Sequence, residues 1–192
     1  MSFSETVARR GLSTPWDALI TAEAGDPSTA ALVRAVIATE SAWDPTAQNP
    51  ADPSVGLMQI LVGDRGPYPG MSAAALLDPS TNIVLGTRFL RSLIDRYGST
   101  SDAISAYNAG HPLRASGGGA YSNQAYVDSV QTYWTWYLNQ LAPAPAPAAD
   151  QASGDDPTAA EDSAQGAGLL SGEVTAIALG AIILAALFLM RR

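Results

Sequence analysis

The chain has no cysteine, no lysine and a single histidine, His111. Without cysteine there is no disulfide framework, no thiolate nucleophile and no cysteine-based zinc or iron–sulfur site. One histidine excludes a histidine-rich metal centre and leaves no serine–histidine triad to be placed, so neither a metal nor a cofactor is expected. All ten basic residues are arginines with no cluster among the helices, and the formal net charge is −8. That balance lacks the basic footprint of a nucleic-acid binder, and no nucleic-acid partner is expected. The first ten residues also lack an apolar run, with Glu5 standing ahead of Arg9 and Arg10, so no cleaved secretory leader is expected. Any chemistry falls to carboxylates and hydroxyls.

What is present suits one globular domain with appendages. The 192 residues are 47% hydrophobic and 15% charged, enough for a single core of ordinary size. Residues 174–190 form an uncharged run rich in Ala, Ile and Leu, closed by Arg191 and Arg192. Extended by Leu169 and Leu170, this reads as one transmembrane helix, with residues 169–190 in the lipid and Glu173 near the interface. Ahead of it, residues 142–168 begin with an Ala-Pro repeat and carry Asp150, Asp155, Asp156, Glu161 and Asp162 with no base, the composition of an extended, self-repelling linker. The terminal arginines favour a cytoplasmic C-terminus with the domain on the wall side of the membrane. Delivery without a leader then calls for an unusual route, such as carriage in a phage particle or its membrane.

Residues 1–14 read as an N-terminal arm and residues 15–141 as the domain, in which helix signals recur and strand alternation is scarce. Thr14, Pro15 and Asp17 predict a helix over 15–24 stopped by Gly25, and Asp26-Pro27 opens a second that ends at Glu40 and Ser41. Residues 49–56 read as a loop and 57–60 as a short apolar segment. Ser72 caps a brief helix through Leu77. Asp78-Pro79 opens the most periodic segment, with Ile83, Gly86, Leu90, Leu93 and Tyr97 at helical spacing before Gly98, and this is expected to be the central packing helix. A further helix is expected over 101–107, then a glycine-rich loop at 117–119, then an aromatic helix from Asn123 to Leu141.

Glu40 draws attention on physical grounds. It ends an apolar helix, where the negative pole of the backbone dipole and partial burial both disfavour a carboxylate and push its pKa upward. A carboxyl group kept protonated suits a general acid for glycoside cleavage, although a solvated helix-end glutamate fits the same residue. The context adds to this. Ala-Thr-Glu40-Ser41 is followed by Gly56-Leu57-Met58-Gln59-Ile60, by Ala106-Tyr107-Asn108-Ala109-Gly110, and by Tyr126-Val127. This ordered set resembles the soluble lytic transglycosylase family of lysozyme-like proteins over residues 15–137.

The resemblance implies a mainly α, lysozyme-like helical domain of the goose type acting on the glycan strands of peptidoglycan. It makes Glu40 the single catalytic acid and base and Ser41 its helix-ending partner. Met58 and Gln59 match the motif that lines the sugar groove, Tyr107 and Asn108 the pair facing the carboxyl and substrate, and Tyr126 the tyrosine before the last helix. Amides that both donate and accept suit sugar hydroxyls and N-acetyl groups, and aromatic faces stack on pyranose rings. Core packing is an equal reading for Tyr126, and Trp16 and Trp43 fit either groove wall or core. The sequence departs from the family between Glu40 and Gln59, where a serine before a Gly-Ala pair is usual. Ser54 can take that role from a shifted position, and Asp52 is a carboxylate that can hold a water as a second catalytic group.

The implied reaction cleaves the bond between N-acetylmuramic acid and N-acetylglucosamine and leaves a 1,6-anhydro end. Three alternatives stay open: lysozyme-type hydrolysis through Asp52, a non-catalytic wall-binding module, and a lysis accessory whose C-terminal segment is the active part.

Overall fold

Helices begin where short polar side chains can satisfy the first free backbone N–H groups. Ser4, Asp26, Ser72, Asp78 and Ser99 each accept the N–H three residues on. A computed structural model describes residues 3–115 and 119–142. Its elements in chain order are α1 (Glu5–Arg10), α2 (Asp17–Ala24), α3 (Pro27–Ser41), β1 (Ser54–Val55), β2 (Ile60–Leu61), α4 (Ala73–Leu77), α5 (Pro79–Tyr97), α6 (Thr100–Ala109) and α7 (Gln124–Leu141). The described residues are therefore mainly helical. Gly25, Gly98 and Gly110 close α2, α5 and α6 in the left-handed conformation that a glycine adopts without strain.

Several expectations need correction. The arm over 1–14 contains α1, whose Ala8 is fully buried in the main core. Its capping serine and the acid-to-base gradient from Glu5 to Arg9 and Arg10 were helix signals obscured by the absence of an apolar stripe. The helix expected over 15–24 starts at Asp17, because the Asp17 carboxylate folds back onto the N–H and hydroxyl of Thr14 and holds residues 14–16 in a turn. The apolar segment at 57–60 ends in a strand: β1 and β2 pair antiparallel, Val55 opposite Ile60. The helix expected over 101–107 is longer at both ends. Of the glycine-rich loop, Gly117 and Gly118 lie outside the described residues, as do the expected linker beyond Ala142 and the expected transmembrane segment. No helix among the described residues is long and apolar enough to cross a membrane.

The centre of the fold is α3 rather than α5. Every residue from Ala30 to Ala38 is buried, Arg34 included, so α3 is enclosed on all sides, and its most extensive packing is with α7. Strong periodicity marks a helix with one wet face, as α5 has; a helix buried all round shows little. The small side chains of α3 let its neighbours approach closely, which brings its penultimate residue, Glu40, against the start of α7.

Two residues of α5 fix the loop between β1 and β2. Asn82 is fully buried; its Oδ1 accepts from Met58 N at 2.7 Å, and its Nδ2 donates to the carbonyls of Val55 at 2.9 Å and Leu76 at 2.7 Å. One turn on, Gly86 lies flush against Met58: a Cβ there would fall on the methionine sulfur and 2.8 Å from its Cβ.

Arg114 and Tyr121 are tied to α6 by a charged cluster. Asp102 accepts from the Tyr121 hydroxyl at 2.7 Å and from Arg114 at 2.9 Å, while the Arg114 guanidinium sits 4.7 Å from the Tyr121 ring centroid. The Tyr121 hydrogen bond, followed by Arg114, holds the Asp102 carboxyl below its ordinary range. A depressed acid stabilises the folded state above its unfolded pKa of about 4 and loses that contribution as pH falls through the folded value. Protection of the amides in residues 111–115, relative to the exchange rate of an unstructured chain at the same pH, is therefore expected to fall below about pH 4, and to be weak throughout in Asp102→Asn.

Candidate active site

The C-terminal end of α3 and the first turn of α7 meet at Glu40, and the end of α6 is tied to the start of α7 through Asn123. Glu40 is partly exposed, and its Oε1 accepts a hydrogen bond of 2.7 Å from the Tyr126 hydroxyl. Tyr126 is 3% exposed; it both packs in the core and reaches Glu40, so the two readings of that residue are compatible. Ser41 is turned back along the helix, its hydroxyl donating to Ile37 O at 3.1 Å.

The other sites follow from Tyr126. Its backbone N–H donates to Asn123 O at 3.0 Å. Asn123 then orients Asn108, because Asn123 Nδ2 donates to Asn108 Oδ1 at 3.1 Å while Asn123 Oδ1 accepts from the Ser105 hydroxyl at 2.7 Å. With its oxygen so engaged, the Asn108 amide has its NH2 group to offer as a donor. Neighbouring Tyr107 is buried, with its hydroxyl donating to Met58 O at 2.8 Å and its ring 5.3 Å from that of Phe89. Hydrogen bonds thus link all four motifs, the third to the fourth through Asn123, a residue with no separate signal in the sequence beyond its place before the last helix.

The loop of the second motif differs from what the resemblance implies. Met58 is fully buried, locked between Asn82 and Gly86, and its side chain is core rather than groove wall. Gln59 is 8% exposed, with Nε2 donating to the carbonyls of Ala47 at 3.1 Å and Gly56 at 2.9 Å. Its donors therefore shape the loop from inside. Ser54 is fully buried in β1, with its hydroxyl 3.4 Å from Asp52 Oδ1. Asp52 is half-buried in the turn before β1, its carbonyl accepting from Ser54 N at 2.6 Å. Trp43 is core, 7% exposed, and Trp16 packs against the same core.

Backbone strain concentrates here. Among the described residues the non-glycine positions with positive φ are Ala42 at 51°, Trp43 at 68° and Gln59 at 47°. Two directly follow the Glu40-Ser41 pair and the third is in the motif loop. A side chain in this region costs about 1–2 kcal/mol and persists where surrounding contacts dictate it, as happens at functional sites.

The hydroxyl that touches Glu40 offers a selective test of this arrangement. Tyr126→Phe is expected to lower turnover about 10- to 100-fold, the scale of one hydrogen bond to an ionisable group. Initial rates on purified peptidoglycan, normalised to folded protein by circular dichroism, check it.

Comparison with known proteins gives the same assignment. The chain is similar to the soluble lytic murein transglycosylase of Escherichia coli (strain K12), at 40% identity over 84 residues, 40% of this chain and 13% of that protein. It is similar also to the protein of that name from Salmonella typhimurium (strain LT2), at 37% identity over 90 residues, again 40% of this chain and 13% of the relative. The chain thus spans only about an eighth of the length of these curated relatives. The family profile described as the transglycosylase SLT domain matches residues 17–125, more than half of the chain and including Glu40 and the three motifs up to Asn108. The chain belongs to the transglycosylase SLT domain family.

Proposed function

We propose that the chain is a peptidoglycan lytic transglycosylase with Glu40 as its acid and base. The observation that carries this reading is Glu40, partly exposed at the end of a buried helix, with its Oε1 accepting from the Tyr126 hydroxyl, within the region matched by the family. With Oε1 accepting from Tyr126, the proton to be delivered belongs on Oε2. Glu40 gives that proton to the glycosidic oxygen between N-acetylmuramic acid and N-acetylglucosamine as the bond to C1 breaks. The substrate's own N-acetyl oxygen stabilises the cation developing at C1, and no enzyme nucleophile is required. The glutamate then takes the proton of the muramic C6 hydroxyl, whose oxygen bonds to C1. A 1,6-anhydro end forms, Glu40 is again an acid, and no water is consumed. Asn108 serves as a donor to the sugar, while Gln59, Tyr107 and Ser54 act on the shape of the site from behind its surface.

The linker and the apolar run at 174–190 support a further part of this reading, a domain tethered to a lipid membrane on the wall side. Fractionation of cells producing the full chain tests the tether: recovery in the soluble fraction after carbonate washing defeats it. Carriage in a phage particle is tested by looking for the chain in purified virions, where its absence ends that idea.

The activity itself is tested by mass spectrometry of the muropeptides that the full chain releases from purified peptidoglycan. Anhydro ends, each lighter than a reducing end by one water, are expected. Reducing ends would replace this mechanism with hydrolysis and bring Asp52 forward, and glycan binding without release would make the chain a binding module.

A further inference from the structure

Glu40 is followed by the most strained stretch of backbone among the described residues, Ala42 and Trp43, both left-handed. Two such residues in succession do not hold themselves in place, so the contacts on them indicate what fixes the direction of the helix end. They come from elements at the two ends of the domain. Trp43 Nε1 donates to the Tyr137 hydroxyl at 3.0 Å, and that hydroxyl in turn donates to Ala8 O at 2.7 Å. Tyr137 is fully buried on α7 and Ala8 fully buried on α1. Arg10, also on α1, donates through Nη1 to Ala42 O at 3.1 Å. Directly after α1, Gly11 lies against the Trp43 indole so closely that a Cβ would meet Cε2 at 2.6 Å, and its carbonyl accepts from the buried Arg34 of α3 at 3.1 Å.

None of the three residues that grip the corner, Ala8, Arg10 and Tyr137, lies within residues 17–125, the extent of the family match. Trp43 and Tyr137 are 94 residues apart, and Tyr137 and Ala8 129 apart. We propose that α1 and the second half of α7 form a clamp on the left-handed corner at Ala42 and Trp43, and that Tyr137 and Arg10 are positioning residues for the Glu40 carboxyl. The proposal rests on the reading of Glu40 as the catalytic acid. A displacement of the corner moves the last turn of α3, and with it the carboxyl relative to the Tyr126 hydroxyl. An error of about 1 Å in such a group is enough to cost on the order of 100-fold in rate.

The test uses the full chain and four variants, three single and one double. Tyr137→Phe removes the hydroxyl that joins Trp43 to Ala8, Arg10→Met removes the exposed grip on Ala42 while leaving the core intact, and Trp134→Phe is the control. Trp134 lies on the same helix but bonds Ser28 O at the opposite end of α3. Tyr137→Phe is expected to lower kcat at least about tenfold and Arg10→Met severalfold, with KM changed less than about twofold, because an interaction felt only in the transition state leaves KM alone. Trp134→Phe is expected to leave kcat unchanged even where it lowers Tm. Adding Ala42→Gly to Tyr137→Phe is expected to restore much of kcat, since glycine occupies the left-handed region without external help.

Amide exchange of residues 41–44 supplies a readout independent of activity: it is expected to rise in Tyr137→Phe and Arg10→Met while exchange in the middle of α3 stays slow. Unchanged exchange at 41–44 in both variants, or kcat loss that follows Tm equally in Trp134→Phe, overturns the clamp. A wild-type chain that releases no muropeptide defeats the functional reading instead, and the exchange comparison alone then decides whether the clamp exists.

Discussion

Glu40→Gln is expected to lower muropeptide release about 1,000-fold, within the range that a positioned general acid supplies. The amide has the size and shape of the acid, so the Tyr126 hydroxyl, now 2.7 Å from Oε1, still finds an acceptor there. What disappears is the proton that the glycosidic oxygen must receive and the base that must take one from the C6 hydroxyl. Glu40 is partly exposed at a helix end, and Tm is expected to move by no more than a few degrees, since the amide keeps both the size of the side chain and the acceptor for Tyr126. Initial rates and a thermal melt on one preparation check both halves. Loss of activity together with loss of the cooperative melt would make Glu40 a structural residue and leave the acid to be found elsewhere.

The largest effect on stability is expected at Asn82, far from any reacting atom. Asn82→Ala leaves Met58 N, Val55 O and Leu76 O without the partner they now share. Each buried backbone group left unsatisfied costs about 1–3 kcal/mol, and the gain in helix propensity returns only about 0.7. The net loss should reach about 3–5 kcal/mol, near the upper end for a single substitution, and lower Tm by roughly 10–20 °C for a domain of this size. Asn82→Asp distinguishes this account from simple cavity formation. It keeps the volume and the acceptor for Met58 N but sets a carboxylate oxygen against two carbonyl oxygens, so it should be destabilising as well, and more so as pH rises and the carboxyl ionises. If Asn82→Asp left the chain as stable as wild type at neutral pH, the three bonds would be shown to contribute little.

Much of the helical scaffold could be read from caps alone. Asp26-Pro27, Ser72 and Asp78-Pro79 begin α3, α4 and α5 as expected because the cap bond is local and does not depend on the rest of the fold. The same locality explains the boundary at Asp17, where a carboxylate bonding backwards to Thr14 competes with the helix start that Pro15 suggests. The identity of the central helix was harder to read. The stripe of α3, Leu32, Val33, Val36 and Ile37, understates its burial, since every residue from Ala30 to Ala38 is enclosed, whereas the stronger periodicity of α5 marks a helix with one exposed face.

For the candidate site, the sequence named most of the residues that come together but less of what each one does. Glu40, Tyr107, Asn108 and Tyr126 belong to motifs, yet the bonds of Tyr107 to Met58 O and of Tyr126 to Glu40 join residues 49 and 86 positions apart. No local pattern encodes such separations. Met58 and Gln59 drew attention as groove residues, and their burial follows from two features of α5 that have a visible trace: a polar Asn82 and a side-chain-free Gly86 one turn apart on the stripe that carries Leu90 and Leu93. An amide on a buried stripe needs backbone partners, and a glycine there admits a close neighbour. The role of α1 left no such trace, since its grip on the corner is made by one backbone carbonyl, that of Ala8, and one arginine, Arg10.

The most direct test of the proposed chemistry is to run the reaction of the full chain on purified peptidoglycan in water enriched in heavy oxygen and weigh the new muramic ends. An intramolecular attack by the C6 hydroxyl takes no solvent oxygen, so anhydro ends of unshifted mass are expected from wild type and none from Glu40→Gln. Heavy oxygen in each new reducing end would contradict the transglycosylase mechanism and establish hydrolysis on the same fold.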